Sequence, residues 1–536
     1  MNHPITNPDK VFLYACKNGH FEIAQQMLII KSTIDISVGN EKAFRFACKN
    51  GHLNVGQWLL QIKPDIDISA RDEEAFRFAC NHGHLEVAKW LLFVKPTIDI
   101  SAFHEEAFRF ACNHGHFNIA QWLLFVKPTI DISAENEYAF IRACYKGYLH
   151  IAQWLLEVKP TINISADDEE AFILACSNGH LNVAQWLLEV KPTIDISAKN
   201  EKAFIYACNN RHLNVAQWLL EVKPTINISA DNEYTFRWAC ECGHLNVAQW
   251  LLEVKPTIDI SAENEYALRY ACSNGHLNIA QWLFQIKPTI DISAKNENAF
   301  RWSCYRGHLN VAKWLLFVKP TINISAKNEY AFIYACIYGY LNIAQWLFEI
   351  KPTINISANN ESAFIWACSL GNLNIAQWLF KIKPTIDISA NNESAFRRAC
   401  SNRKINIAQW LLEVKPTINI SANNDEAFTY ACYHNYLNIA QWLVSLRPDK
   451  YKITLNDNGS FSYEIIKTRN IVGTKEVSET ETCPICCTSN CDIITSCNHS
   501  YCTPCILSWL NTNHSSCPTC RNNIDNTEFR NLVLKN

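Results

Sequence analysis

Eight residues that can bind a metal ion lie close together near the end of this 536-residue chain. Thiolate and imidazole are the ligands that zinc prefers, and a closed tetrahedral site takes four of them. The sequence therefore predicts two structural zinc ions. Their ligands come in four closely spaced pairs, which are Cys483 and Cys486, Cys497 and His499, Cys502 and Cys505, and Cys517 and Cys520.

Zinc sites of this kind would build a fold and would not do chemistry. A zinc ion with four protein ligands has no open position, so we expect neither ion to activate water. Residues 483–520 are too few to bury a sufficient core, so the metal must supply the folding energy. We interpret Cys487 and Cys491 as free thiols because using either would spoil the spacing. His514 could replace a ligand only by breaking the final pair.

The order and spacing of these ligands resemble the RING finger. The resemblance implies that the ligand pairs interleave, so that the first and third pairs hold one zinc ion and the second and fourth pairs hold the other. It also implies an activity, because RING fingers recruit a ubiquitin-conjugating enzyme and promote ubiquitin transfer from its thioester to a substrate lysine.

Four residues match the positions of the family that perform this task. The resemblance assigns Ile485, Trp509 and Pro518 to an apolar contact with the conjugating enzyme. It assigns Arg521 to a bridge between that enzyme and ubiquitin, for which the fork of a guanidinium group is suited. Such a bridge would hold the thioester in a reactive orientation. The alternative interpretation is that these four side chains only pack a small zinc fold.

Most of the rest of the chain is a repeat. One aromatic or apolar position recurs every 32 residues, fourteen times, without insertion or deletion. A fixed period of this size is typical of a solenoid. The positions are Phe12, Phe44, Phe76, Phe108, Phe140, Phe172, Phe204, Phe236, Leu268, Phe300, Phe332, Phe364, Phe396 and Phe428.

One unit, residues 40–70, shows what each repeat should form. Phe44, Ala47 and Cys48 lie on one face of a short helix, and Gly51 follows at a C-cap. The second apolar stripe starts at Val55 and predicts a second amphipathic helix, which Pro64 ends. The alternating segment after that proline predicts an extended loop. Because each helix is too short to be stable alone, the units must stack.

These units resemble ankyrin repeats, through the segment GHLNVAQWLL at residues 179–188 and the period near 33. The resemblance covers residues 8–446 and implies an ankyrin-like α-solenoid of fourteen repeats of 32 residues, so the fold class is mostly α. The first-helix motif and the hairpin motif of the family are replaced by other residues. This divergent form, without insertions, resembles the ankyrin proteins of giant DNA viruses.

Three residue types recur in register, and we predict a structural role for each. The cysteine series from Cys16 to Cys432 should be buried free thiols, because stacked helices lie about 8–10 Å apart, beyond disulfide reach. The tryptophan series from Trp58 to Trp442 should belong to the core. The histidine series should act at turns or helix starts, because tyrosine, asparagine and lysine replace histidine in some units.

The units differ mainly at the loop tips, such as ARDEE at residues 70–74, and at first-helix positions such as Arg45 and Phe46. One interpretation is neutral variation on a solvated face. The other is a surface for a protein partner, with aromatic anchors. The candidate anchors are Trp238, Trp302 and Trp366.

The domain organisation follows from these patterns. We predict an ankyrin-like array at 1–446, a hairpin and flexible linker at 447–482, a RING-type zinc finger at 483–521 and a C-terminal tail at 522–536. The hairpin is indicated by two short strand patterns around Asn-Asp-Asn-Gly within 451–466.

Composition excludes some classes of function. The formal net charge is -3, and no long run of one charge sign favours nucleic acid or anionic membrane as a partner. No apolar run is long enough for a membrane span, and no secretory signal begins the chain. We therefore expect an intracellular protein of the cytoplasm or nucleus, in a host cell if it is viral.

Two functions remain. In the first, the protein is a RING-type ubiquitin ligase whose array recruits a protein substrate and whose RING binds a charged conjugating enzyme. In the second, it is a non-enzymatic scaffold with a structural RING. Neither the substrate nor the conjugating enzyme can be named from the sequence.

Overall fold

The computed structural model describes residues 7–455, 461–466, 485, 493–494, 499–501, 505 and 518–519. The chain divides into two units, Met1–Lys327 and Asn328–Asn536. Within the described residues there are 28 helices, which form the fourteen helix pairs that the repeat predicts. The predicted mostly α fold is therefore confirmed.

The first helix of a pair is most often 12 residues long, and the second is always 10. The first helices are α1 (Pro8–Lys17), α3 (Val38–Lys49), α5 (Ala70–Asn81), α7 (Ala102–Asn113), α9 (Ala134–Lys146), α11 (Ala166–Ser177), α13 (Ala198–Asn209), α15 (Ala230–Glu241), α17 (Ala262–Ser273), α19 (Ala294–Tyr305), α21 (Ala326–Ile337), α23 (Ala358–Leu370), α25 (Ala390–Ser401) and α27 (Ala422–Tyr433).

The second helices carry the longer apolar stripe. They are α2 (Phe21–Ile30), α4 (Leu53–Ile62), α6 (Leu85–Val94), α8 (Phe117–Val126), α10 (Leu149–Val158), α12 (Leu181–Val190), α14 (Leu213–Val222), α16 (Leu245–Val254), α18 (Leu277–Ile286), α20 (Leu309–Val318), α22 (Leu341–Ile350), α24 (Leu373–Ile382), α26 (Ile405–Val414) and α28 (Leu437–Leu446).

The core of each pair consists of the apolar positions that recur in the sequence. In the third pair Phe76, Cys80 and Leu91 are fully buried. Burial raises the pKa of the Cys80 thiol above its ordinary value, so this cysteine stays protonated and packs as a small apolar side chain. The cysteines of the repeat series are free and buried, as predicted.

The tryptophans lie between pairs and are only half-buried. Trp122 packs at a tilt against Phe76 of the preceding pair, with ring centroids 6.2 Å apart. The same contact recurs between Phe172 and Trp218 at 6.3 Å. Tryptophan is therefore a stacking residue with one edge at the surface, which refines the prediction that it is core.

The histidines precede the second helix, where the sequence predicts them, and seven of them pack on the turn glycine of the preceding pair. Gly51 has a φ of 80°, and a Cβ atom there would lie 2.5 Å from Nδ1 of His84. Only glycine gives the ring this space. The turn glycine and the histidine of the next pair are thus one packing unit.

The segment between pairs does not form the extended loop that the alternation predicts. The Ile66 amide donates to the Lys63 carbonyl at 3.3 Å, and the Ala70 amide donates to the Asp67 carbonyl at 3.1 Å, so the segment is two successive tight turns. Ile66 and Ile68 are buried. The alternation of apolar and polar residues therefore indicates which side chains are buried. The prediction of an extended backbone was wrong.

Every first helix after α1 begins with three left-handed residues that the sequence did not reveal. In the third pair these are Arg71, Asp72 and Glu73, with φ of 59°, 55° and 62°. A non-glycine residue in this conformation costs about 1–2 kcal/mol. Tertiary contacts must therefore hold the tip in place.

An acidic residue at the tip supplies such a contact, and it is a glutamate at every tip from α3 to α25. Glu73 accepts a hydrogen bond from the Ser69 hydroxyl at 2.6 Å and one from the Asp99 amide of the next pair at 3.4 Å. Lys95 of the same pair also donates to Ser69. Glu73 is 7% exposed, so the prediction that the whole tip is variable surface was wrong at this position. The bond to the next pair recurs, for example from Asn163 to Glu137 and from Asn227 to Glu201.

In the second unit an antiparallel hairpin follows the last helix, at the place where the sequence predicts one. Strand β1 (Tyr451–Leu455) pairs with β2 (Phe461–Ile465). Tyr451 is 1% exposed, stacks on Phe428 at 4.2 Å, and donates from its hydroxyl to Asp425 at 2.6 Å. The hairpin therefore covers the end of the last pair. The predicted linker lies outside the described residues from 467 onward.

No helix in the described part of the chain combines the length and apolar character that a membrane crossing requires.

Candidate functional site

The zinc-ligand segment is described at a few positions, and two of the eight predicted ligands are among them. His499 and Cys505 are half-buried. The other six ligands, and also Trp509 and Arg521, lie outside the described residues. The six ligands outside the described residues are Cys483, Cys486, Cys497, Cys502, Cys517 and Cys520.

A short hairpin positions the middle of this segment. Strand β3 (Ile493–Ile494) pairs antiparallel with β4 (Ser500–Tyr501), and Ile493 lies opposite Tyr501. His499 directly precedes β4, and Cys502 directly follows it. Strand β4 therefore separates His499 of the second ligand pair from Cys502 of the third pair in the sequence.

Tyr501 connects this hairpin to the loop between the last two cysteines. Its side chain is fully buried, and its hydroxyl oxygen accepts a hydrogen bond from the Thr519 amide at 3.1 Å. The two hydroxyl groups of Tyr501 and Thr519 lie 2.6 Å apart. Thr519 stands between Cys517 and Cys520 in the sequence, so the contact joins strand β4 to the residues between those two cysteines.

Two of the four residues assigned to the conjugating enzyme are described. Ile485 is 41% exposed, and Pro518 is half-buried. If Ile485 only packed the zinc fold, we would expect its side chain to be buried. The exposure of Ile485 leaves it free to contact a partner.

The donor set fits zinc in its chemistry. It consists of seven thiols and one imidazole, in pairs separated by one or two residues, which suits tetrahedral sites. No cluster of three or more potential ligands occurs among the residues that the structure describes. The ligand assignment therefore stays a prediction from residue type and spacing.

A second candidate site is the exposed face of the first helices in the array. Trp238 and Trp302 are half-buried, and Trp366 is 37% exposed. Trp238 stacks on Tyr234 at 6.0 Å, and the Arg398 guanidinium lies 4.4 Å from the ring centroid of Trp366. These tryptophans are thus accessible at one edge, as a partner surface would need.

The arginines next to these aromatic positions are structural, which the sequence did not indicate. Arg77 donates to the carbonyls of Asp72 and Arg71 at 2.7 and 3.1 Å, and it pairs with Glu106 of the next pair. Arg45 is 2% exposed and makes the equivalent contacts. Burial is the main cause that lowers the pKa of the Arg45 guanidinium, and Glu74 partly opposes it. Arg45 is therefore a clamp on the left-handed tip and not a variable contact residue.

Comparisons with known proteins match both parts of the chain. The family model described as zinc finger, C3HC4 type (RING finger), matches residues 483–520. A second model for ankyrin repeats, in many copies, matches residues 44–92. The chain has no match among the curated proteins compared. The model for ankyrin repeats in three copies matches residues 75–168, 108–200, 140–232, 174–264, 204–296, 236–328 and 300–392.

Proposed function

This chain belongs to the ankyrin-repeat family and carries a C-terminal RING finger, and from that premise we propose that it is a RING-type ubiquitin ligase. The array recruits a protein substrate, and the RING binds a conjugating enzyme charged with ubiquitin. The observation that carries the proposal is the complete RING match together with the exposed Ile485 side chain.

In this proposal, two zinc ions stabilise the RING finger. The first ion is bound by the first and third ligand pairs, and the second ion by the second and fourth pairs. The contact between Tyr501 and Thr519 supports a fold that brings distant parts of the segment together, because it joins β4, which lies between His499 and Cys502 in the sequence, to the residues between Cys517 and Cys520. When bound, zinc supplies the folding energy of this short segment.

The reaction needs positioning and no covalent intermediate on this chain. Ile485, Trp509 and Pro518 form the apolar contact with the conjugating enzyme. Arg521 donates hydrogen bonds to that enzyme and to ubiquitin at once, which restricts the thioester to orientations that a lysine amine can attack. The substrate lysine is brought near by the array, so the array sets specificity and the RING sets rate.

We place this activity inside a cell, in cytoplasm or nucleus, because a conjugating enzyme charged with ubiquitin must be present. The viral origin is a further proposal, and it rests on the form of the repeats alone.

The test is ubiquitin discharge from a panel of charged conjugating enzymes by the full chain with zinc. Ile485→Ala and Arg521→Ala are each expected to slow discharge about tenfold or more while two zinc ions per chain remain bound. Ile62→Ala is the matched control, because Ile62 is equally exposed at 42% but lies in α4 of the array. Discharge by this control should equal that of the wild type.

The alternative is a scaffold that binds proteins without transferring ubiquitin. The exposed aromatic edges of the array favour a binding function under either interpretation. A folded wild type with two zinc ions that fails to accelerate discharge from every conjugating enzyme would leave the scaffold as the function.

A further inference from the structure

One end of the first-helix surface is strongly basic, although the whole chain is weakly acidic. The first-helix face of the second pair consists of Lys42, Arg45, Phe46, Lys49 and Asn50, spaced as one side of a helix. At these positions and their equivalents in the first five pairs there are nine lysines and arginines against two glutamates. The next five pairs hold five cations and two carboxylates there. The basic character therefore belongs to the first five pairs.

The two carboxylates on this face do not neutralise it. Glu74 pairs with Arg45 and Glu106 pairs with Arg77, so each is used by a buried arginine. In the described part of the chain none of the other seven cations is paired with a carboxylate. They are Lys10, Lys17, Lys42, Lys49, Arg109, Arg142 and Lys146.

Aromatic rings lie between these cations and hold them at the surface. The Lys49 ammonium is 4.6 Å from the ring centroid of Phe78 in the next pair. The Arg142 guanidinium is 4.2 Å from the ring centroid of Tyr145, and Lys146 approaches the same ring at 5.2 Å. A cation held over a ring loses less freedom when it meets an anion, so the face is prepared for negative charge.

We propose that this face, on the first helices of the first five pairs, binds an extended acidic peptide segment that also carries apolar side chains. This names a substrate class for the ligase, and so it rests on the proposed function. Carboxylates would meet the five lysines and Arg142, whereas Arg109 is held by the carbonyls of Phe103 and His104 as the other tip arginines are. The apolar side chains of the peptide would pack on the aromatic rings. Stacked helices lie about 8–10 Å apart, so five pairs accommodate an extended segment of roughly 10–12 residues.

Single-stranded nucleic acid is also attracted by basic, aromatic surfaces, but the ring geometry favours the peptide. Bases bind such surfaces by stacking on open ring faces. Here cations already lie over the rings of Phe78 and Tyr145, which leaves less open ring face for a stacked base. Edges suit aliphatic and aromatic side chains better than they suit a stack of bases.

The test is fluorescence anisotropy with the full chain and a labelled peptide of about twelve residues, half glutamate, with leucine and phenylalanine among the rest. The variant is Lys17→Glu/Lys49→Glu. Lys313→Glu/Lys381→Glu is the matched control, because it makes the same charge change at exposed lysines of the second helices α20 and α24. Circular dichroism and thermal melting establish that both variants are folded.

We expect the variant to weaken peptide binding about tenfold or more, the control to change it less than about twofold, and added salt to weaken it steeply. Equal binding by wild type and the Lys17→Glu/Lys49→Glu variant would overturn the proposal. Tighter binding of an oligothymidylate probe than of the peptide, lost in the same variant, would also overturn it. The assay contains no conjugating enzyme, so failure of ubiquitin transfer and failure of peptide binding are observed separately.

Discussion

Two regions of this protein are stabilised in different ways. In an interior pair of the array, such as residues 198–222, Phe204, Cys208 and Leu219 are buried, and the next pair is bound through Glu201 and Trp250. Among the residues of segment 483–521 whose burial the structure describes, which are 485, 499, 501, 505, 518 and 519, Tyr501 alone is buried, and the segment is predicted to depend on zinc. Neighbouring pairs therefore take the place of a large core in the array, and bound zinc is predicted to take that place in segment 483–521.

Removal of zinc should produce the largest difference in stability between the two regions. A chelator is expected to unfold residues 483–521, because structural zinc contributes roughly 10–16 kcal/mol in small zinc domains. The array should keep its helical circular dichroism and its melting temperature. Limited proteolysis and zinc content by mass spectrometry would report on the RING. A fall in the melting temperature of the array after chelation would contradict the separation.

The next largest effect should come from an emptied core in the array. Phe204→Ala is expected to lower the free energy of unfolding by about 3–5 kcal/mol, because Phe204 is fully buried and packs on Trp250 at 6.2 Å. Phe125→Ala is the control, since that side chain is 83% exposed. Urea denaturation followed by circular dichroism measures both. Equal losses from the two variants would mean that burial does not determine stability here.

Loss of one tip glutamate should have a smaller effect. Glu201→Ala removes hydrogen bonds to the Ser197 hydroxyl at 2.6 Å and the Asn227 amide at 3.1 Å, and should cost about 1–3 kcal/mol. Glu221→Ala, an exposed glutamate in the same helix pair, should stay within about 0.5 kcal/mol of the wild type. Urea denaturation measures both variants. Equal decreases in the free energy of unfolding would mean that the tip glutamate does not bind the next pair.

The smallest effect should be a dependence of array stability on pH. Burial is the main cause that lowers the pKa of the stacked histidines below their ordinary 6.5, so the unfolded chain binds protons that the folded chain does not. Stability should therefore be full above that value and fall as the pH drops through it. The histidines with a lowered pKa are His84, His116, His180, His212, His244, His276 and His308.

Tryptophan fluorescence during thermal melting at several pH values measures this effect in the array. His180→Tyr serves as the test variant, because Tyr148 occupies the equivalent place one pair earlier. It should make the melting temperature less sensitive to acid. A wild-type melting temperature that stays constant through pH 6.5 would refute the effect.

The sequence predicted the array well because one apolar period repeats fourteen times. Phe76 and Cys80 are buried where the helical spacing places them. The left-handed tip was missed because its residues, such as Arg71 and Asp72, are not glycines and give no local signal. Glu73 was taken for surface because a charged residue beside a loop is usually solvated, and only the next pair shows what binds it.

The zinc segment was predicted by a different kind of information. The spacing of cysteine and histidine identified the family without any helix or strand, and the family match agrees with it. The bond between Tyr501 and Thr519 could not be predicted, because the two residues are 18 positions apart and neither is a ligand. Arg45 was misjudged for the same reason, since the Glu74 that pairs with it lies in another helix pair.

The Tyr451 contact has a consequence for how this gene could grow. In the last pair the tip acid is Asp425, shorter than glutamate, and its partners are the Tyr451 hydroxyl and Lys450 in place of a backbone amide from another pair. A duplicated 32-residue module could therefore be inserted between interior modules, where the tip glutamate accepts from an amide of the next pair, as Glu201 does from Asn227. Inserted after Leu446 it would meet a tip that is adapted to a hairpin. Duplication should thus lengthen the interior of the array and leave its terminus as it is.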